Sequence, residues 1–308
     1  MEKRVLLIEW LEAGWAGSVV WGGFVAWQAL AIGAVLAAVV AGAGLATEAL
    51  TGRGALAAWG VGALVFGLGG PAWALLVILF FLSSSLVSRW RDDIKAKPSA
   101  VFAKGSRRDA GQVLANGAVA ALLAVAHLFF PEAAPLFAAF VGALAAVTAD
   151  TWATEVGLLS DAPPVLITSG EPVERGTSGG VTVLGTVAAT AGATLIGVAA
   201  AVLFAAREAI EFGIFDARML DFGPDALRLL PIAAVAGLAS AAFDSFLGAT
   251  VQGVYYSDSL QRETERSRDA QGDPHPLVRG RRWITNDVVN VAASVCGAGV
   301  AWVLYVVW

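Results

Sequence analysis

Eight stretches of this chain are apolar over enough residues to cross a bilayer, and that constrains the fold more than any other feature. They run over roughly 17–45, 55–70, 71–88, 112–131, 135–160, 178–206, 227–252 and 287–308. A spanning helix needs about 20 largely apolar residues. The second run is short and ends on Gly69-Gly70-Pro71, so it reads as a half-helix or one arm of a hairpin, which leaves seven or eight spans. Composition agrees: 57% of the residues are hydrophobic and only 15% charged, where soluble domains carry roughly a quarter charged. The 35 glycines and the many alanines suit helices that pack closely in lipid. The expected fold is an all-α, polytopic transmembrane helical bundle, with residues 1–308 forming a single integral-membrane domain. Residues 1–16, with Trp10 and Trp15 beside Lys3, Arg4, Glu9 and Glu12, read as an interfacial helix. Glu9 breaks the first apolar stretch, so no cleavable signal is expected.

Loop charge sets an orientation. The 89–111 loop carries Arg89, Arg91, Lys95, Lys97, Lys104, Arg107 and Arg108, and the 253–286 loop carries Arg262, Arg266, Arg268, Arg279, Arg281 and Arg282. The positive-inside bias puts both in the cytoplasm. Alternation then places 161–177 inside, and the Pro131–Pro135 turn and the acidic 207–226 segment outside.

Five acids remain in or at the edge of apolar spans: Glu48, Asp150, Glu155, Asp244 and Asp287. A carboxylate at membrane depth is costly and marks a functional site by default. At about 100° per residue, Asp150, Thr151, Thr154 and Glu155 share an arc of roughly 140° on one helix. Asp244, Ser245, Gly248 and Gln252 share about 100° of another, as do Asn286, Asp287, Asn290 and Ser294 on the last. Arg108, Asp109, Gln112 and Asn116 do the same if a helix begins near Arg107. The plainer reading is that such groups tie helices together by hydrogen bonds, but asparagine would do that without the cost of a charge. Glu48 reads as interfacial, and Asp109 as a helix cap.

Carboxylates and amide oxygens suit a hard cation, above all Mg²⁺, whose remaining positions go to phosphate and water. The lone Cys296 and the distant His127 and His275 argue against zinc. The cations preceding the polar arcs fit a phosphate partner, although membrane topology alone also accounts for them. Gly176-Thr177-Ser178-Gly179-Gly180 opens the span read from 178, where backbone N–H groups at a helix start can cradle phosphate. A Gly pair also marks tight packing, and the spacing is not that of a Walker A loop. Together these features point to phosphoryl or nucleotidyl transfer to a lipid phosphate.

Five segments, in order, resemble one family. Arg107-Arg108-Asp109-Ala110-Gly111-Gln112-Val113-Leu114-Ala115-Asn116-Gly117 is similar to its R-D-x-x-Q-V-x-A-N-G signature. Asp150 to Gly157 resembles D-T-W-A-[ST]-E-x-G, and Gly176 to Thr182 resembles G-T-x-G-G-[VI]-[ST]. Asp244 to Gln252 matches D-S-x-L-G-A-x-x-Q, and Asn286 to Asn290 matches N-D-x-V-N. The similarity runs from about Gly44 to Gly299. On these motifs the chain resembles the integral-membrane phytyl-phosphate (prenyl-phosphate) kinases, which have prokaryotic relatives and an uncharacterised transmembrane branch.

The resemblance implies conversion of a prenyl monophosphate, phytyl or geranylgeranyl, to the diphosphate, with CTP or another nucleoside triphosphate as donor. For that reaction the expectation is Mg²⁺ held by Asp150, Asp244 and Asp287, with Glu155, Asn116 and Asn290 completing the shell directly or through water. Lys104, Arg107, Arg108 and the Gly176, Thr177, Ser178, Gly179 and Gly180 backbone would meet donor phosphates, and Gln112, Ser245, Gln252 and Asn286 would contribute to binding. The expected partners are an isoprenoid lipid phosphate, a nucleoside triphosphate and membrane lipids, with no nucleic acid. The expected location is a prokaryotic inner membrane, with the site facing the cytoplasm. Two alternatives from other classes are a CTP-dependent cytidylyltransferase acting on a lipid phosphate and a secondary transporter.

Overall fold

The computed structural model describes residues 19–21, 24–90, 102, 105, 107–131, 133–206, 223–269 and 271–308. The expected interfacial helix over 1–16, Lys104 and most of the acidic 207–226 segment lie outside the described residues. The first apolar run becomes helical only at Ala26, after a two-stranded pair β1 (Val19–Trp21) and β2 (Phe24–Val25). Helix α1 spans Ala26–Ala46, and α2 spans Gly52–Leu64 and continues through a π-helical turn at Val65–Gly69. Next come α3 (Gly70–Arg89), α4 (Ala110–Phe129) and α5 (Ala134–Gly157). Then follow α6 (Val183–Ala205), α7 (Pro224–Thr250) and α8 (Asn286–Val307).

Local sequence sets the helix starts. Thr51 and Thr182 accept hydrogen bonds from the backbone N–H three residues on, and Asp109 with Gln112 forms a reciprocal capping box. Proline stands in the first turn of α3, α5 and α7, where its missing N–H costs nothing.

Among the described residues seven helical runs are long and apolar enough to span a membrane, and one of them, Gly52–Arg89, is 38 residues long. A straight helix of that length would extend about 57 Å, yet both of its ends reach Arg108. Thr51 N–H, at the start, donates to the Arg108 carbonyl (3.0 Å). The Arg108 guanidinium lies 3.5 Å from Ser85 Oγ, near the other end. The run therefore doubles back, and it does so at Gly70, whose φ of 82° is left-handed. Among the described residues the seven apolar runs thus comprise eight helices, α2 and α3 being the two arms of one run.

Helix α5 is the axis of the bundle. Leu136 through Ala149 are all buried, as a helix packed on every side requires. Neighbouring helices close on it through glycine: a Cβ on Gly142 would stand 2.4 Å from the Gly297 carbonyl oxygen and 2.3 Å from the Ala301 Cβ. Gly142→Leu should therefore lower thermal stability in detergent by about 1–3 kcal/mol or more. Gly299→Leu, on the same α8 but with open space around its Cα, should leave the melting temperature unchanged.

The remaining strands were not expected from the sequence. β3 (Val165–Leu166) pairs with β4 (Gly180–Val181) between α5 and α6. β5 (Val254–Ser257), β6 (Arg262–Thr264) and β7 (Leu277–Arg279) form an antiparallel sheet in the order β6-β5-β7 between α7 and α8. Both elements lie at the end of the bundle where α5 and α7 finish and α4, α6 and α8 begin.

Candidate functional site

A cavity of about 1290 Å³ opens at that end, lined by α4, α5, α7, α8 and the loops between them. Packing further down the bundle holds the helices that carry its acids close together. Gly237 of α7 sits against Ala145 and Ala149 of α5, while Gly142 of α5 sits against Gly297 of α8. Ser240 Oγ donates to the Ala293 carbonyl (2.5 Å), and one turn nearer the cavity Asn290 Nδ2 donates to Asn116 Oδ1 (3.4 Å). Asp150, Asp244, Asn116 and Asn290 all line the cavity.

The charges of Asp150 and Asp244 act on each other, and both feel a third acid, Glu265, from the loop after β6. Glu265 Oε1 accepts hydrogen bonds from Ser178 Oγ (3.0 Å) and Gln252 Nε2 (2.8 Å). It thereby joins the glycine-rich loop to the end of α7. Asp244 Oδ2 and Asn290 Oδ1 are buried without a hydrogen-bond partner among the described residues. A buried acceptor left in this state carries a full desolvation cost, and two such oxygens facing a polar cavity are suited to a cation.

The three acids expected to hold a metal, Asp150, Asp244 and Asp287, all line the cavity. Glu265 adds an acid that the motifs do not include: its charge acts on both Asp150 and Asp244. Among the described residues no three His, Cys, Asp or Glu side chains form a group set to hold a metal. Mg²⁺ commonly takes only one or two carboxylates and leaves its other positions to phosphate and water. Asp150 and Asp244, with the amide oxygen of Asn290, fit that requirement, and Asp244 Oδ2 is the atom that shows it.

Around the acids lies a cationic wall of Arg108, Arg175, Arg266, Arg268 and Arg282. Arg108 is clamped: its N–H donates to the Ala49 carbonyl (3.0 Å), and its guanidinium stands 5.6 and 5.5 Å from the ring centroids of Phe80 and Phe81. Burial draws it down to about 10, with Glu155 opposing the shift, so it remains a cation at neutral pH. Its neighbour Arg107 is exposed and is not on the cavity wall. Gln112 lines the cavity, but its Oε1 is committed to the Asp109 N–H of the cap.

The glycine-rich loop is also displaced from its expected position. Helix α6 starts at Val183, so Gly176 to Gly180 form a turn ahead of it, not its first turn. Gly179 has φ +85° and lies against α7, where a Cβ would come within 2.5 Å of the Ala249 Cβ. Packing thus accounts for Gly179, while the loop from Gly176 to Gly180 still lines the cavity. Glu155, Ser245 and Asn286 line it as well.

A family model described as integral membrane protein DUF92 matches residues 35–298. The chain belongs to the DUF92 family. Protein PGR of Arabidopsis thaliana is 34% identical over 197 residues, covering 59% of this chain and 65% of that protein. Uncharacterized membrane protein MJ0933 of Methanocaldococcus jannaschii is 37% identical over 135 residues, or 44% and 55% of the two chains. Uncharacterized membrane protein sll0875 of Synechocystis is 28% identical over 246 residues, or 79% and 78%. The match thus spans less than two thirds of the length of the first two relatives. No solved structure matches the chain.

In this DUF92 protein the residues that sequence reasoning missed sit on the strands and loops after α7. Glu265, Arg266 and Arg268 lie in a run whose charge reads as topology, with no helical period to set a face. Arg279, in the same basic loop, is turned to structure instead: it donates to the Gly248 and Ala249 carbonyls (2.9 and 2.5 Å) at the end of α7.

Proposed function

We propose that this protein is an integral-membrane kinase that converts a prenyl monophosphate to the diphosphate with CTP or another nucleoside triphosphate and Mg²⁺. The observation that carries the reading is Asp244 with its unpartnered Oδ2, beside Asp150, in a large cavity walled by arginines at one end of an apolar bundle. Acids alone would repel phosphate and arginines alone would need no buried carboxylate; the two together suit a metal-bound polyphosphate. The order of the five motifs, shared with the prenyl-phosphate kinases, supplies the substrate class.

In the transfer an oxygen of the acceptor phosphate attacks the terminal phosphorus of the donor, the bond to the bridging oxygen breaks, and the nucleoside diphosphate leaves. The acceptor is already an anion, so no strong general base is required. Bound Mg²⁺ would supply charge neutralisation on the phosphate oxygens, with Asp150 and Asp244 as its protein ligands. Arg108, Arg266, Arg268 and Arg282 hold the remaining negative charge, and positioning supplies most of the rate. Orientation belongs to the proposal too: the arginine-rich loops at the cavity end favour a cytoplasmic site by the positive-inside bias.

Product analysis tests the reading against both alternatives. Purified protein given Mg²⁺, geranylgeranyl monophosphate and CTP should yield the lipid diphosphate and CDP. A CMP-linked lipid with pyrophosphate would make it a cytidylyltransferase, and solute flux in liposomes without nucleotide would make it a transporter.

A further inference from the structure

A second cavity adjoins the first. It is apolar, about 80 Å³, and lies between α1, α2, α3 and α4. Ala58, Val61, Phe80, Gly117 and Ala120 are among its walls. Arg108, Gln112 and Asn116 line both cavities, so a half-buried cation and two amides stand where an apolar chamber meets a polar one. That junction matches an amphiphile whose anionic head sits at Arg108 and whose hydrocarbon begins at once. The chamber is close to the volume of two or three liquid waters, room for a few carbon atoms but not for a whole phytyl or geranylgeranyl chain. Glycine keeps it this narrow: a Cβ on Gly117 would stand 2.9 Å from Val61 Cγ1.

Building on the kinase reading, we propose that this chamber takes only the phosphate-proximal isoprene unit of the acceptor, the rest of the chain passing into lipid. The protein then recognises the phosphate and the first branched unit, and it is nearly indifferent to chain length. The donor nucleotide is left the opposite side of the large cavity, near the glycine-rich loop.

The test is binding in vesicles without nucleotide, so that it does not depend on turnover. Geranylgeranyl monophosphate carrying a photoreactive diazirine on its first isoprene unit should label peptides from α2 and α4; the same group on the last unit should label lipid. Ala58→Leu and Ala120→Leu, which fill the chamber from two different helices, should each weaken binding by roughly tenfold or more. Farnesyl and geranylgeranyl monophosphates should bind within about threefold of one another at equal surface concentration. First-unit labelling elsewhere, or unchanged binding in both filled variants, would overturn the chamber and leave the kinase reading intact. Tight binding with correct labelling but no transfer would keep the chamber and remove the kinase. Phosphatidic acid competing as well as the prenyl phosphate would overturn the assignment to an isoprenoid.

Discussion

Asp244→Asn should reduce phosphoryl transfer by about three orders of magnitude or more, while the protein melts at the same or a higher temperature. The two expectations have one cause. Asp244 buries a carboxyl group beside Asp150 and within the field of Glu265, and leaves Oδ2 without a partner among the described residues. Like charges held together out of water destabilise the fold, so a neutral isostere relieves it, as stability–function trade-offs predict. A residue kept for packing would behave in the opposite way, losing stability first and activity only as a consequence. Asp150→Asn should follow the same pattern. Activity by product chromatography and melting in detergent by intrinsic tryptophan fluorescence are the two readouts; a fully active Asp244→Asn would remove this residue from the metal site.

Arg108→Leu should cost about a hundredfold or more in transfer, together with about 1–3 kcal/mol of stability. The side chain stacks near two phenylalanine rings, approaches Ser85 and faces Glu155, at the boundary of both cavities. Its backbone bonds to Ala49 and Thr51 do not depend on the side chain, so the α1–α2 turn should persist in Arg108→Leu. Arg108→Lys keeps the charge but loses the planar fork, and the two are not interchangeable at a clamped site; it should recover stability better than activity. Equal activity in the Lys and wild-type proteins would mean that charge alone, and not the guanidinium geometry, is what the site uses.

The membrane architecture was legible because a run of about 20 apolar residues has few other uses, and Gly69-Gly70-Pro71 marked the place where 52–89 folds back. The polar arcs were legible because helical period carries Asp150, Asp244, Asn116 and Asn290 onto inward faces before any neighbour is known. Asp109 and Gln112 are spaced as a capping box and form one. Where the period stops, so did the reading. The start of α6 was placed five residues early because Gly176–Gly180 are small and uncharged, and only the Thr182 cap fixes the true start at Val183. Glu265 reaches the acids through β5 and β6, whose pairing depends on register across a hairpin; nothing in its neighbouring residues indicates that contact. Asp287 reaches the cavity wall as its motif leads one to expect, because helical period alone sets which face of α8 it occupies.

The most direct measurement follows a labelled terminal phosphoryl group. Vesicles holding the wild-type protein, Mg²⁺, CTP labelled at the terminal phosphorus and geranylgeranyl monophosphate should move the label into the lipid diphosphate, and the same vesicles with Asp244→Asn should not. Label that stays in pyrophosphate, or that reaches the lipid equally in both proteins, would contradict the account.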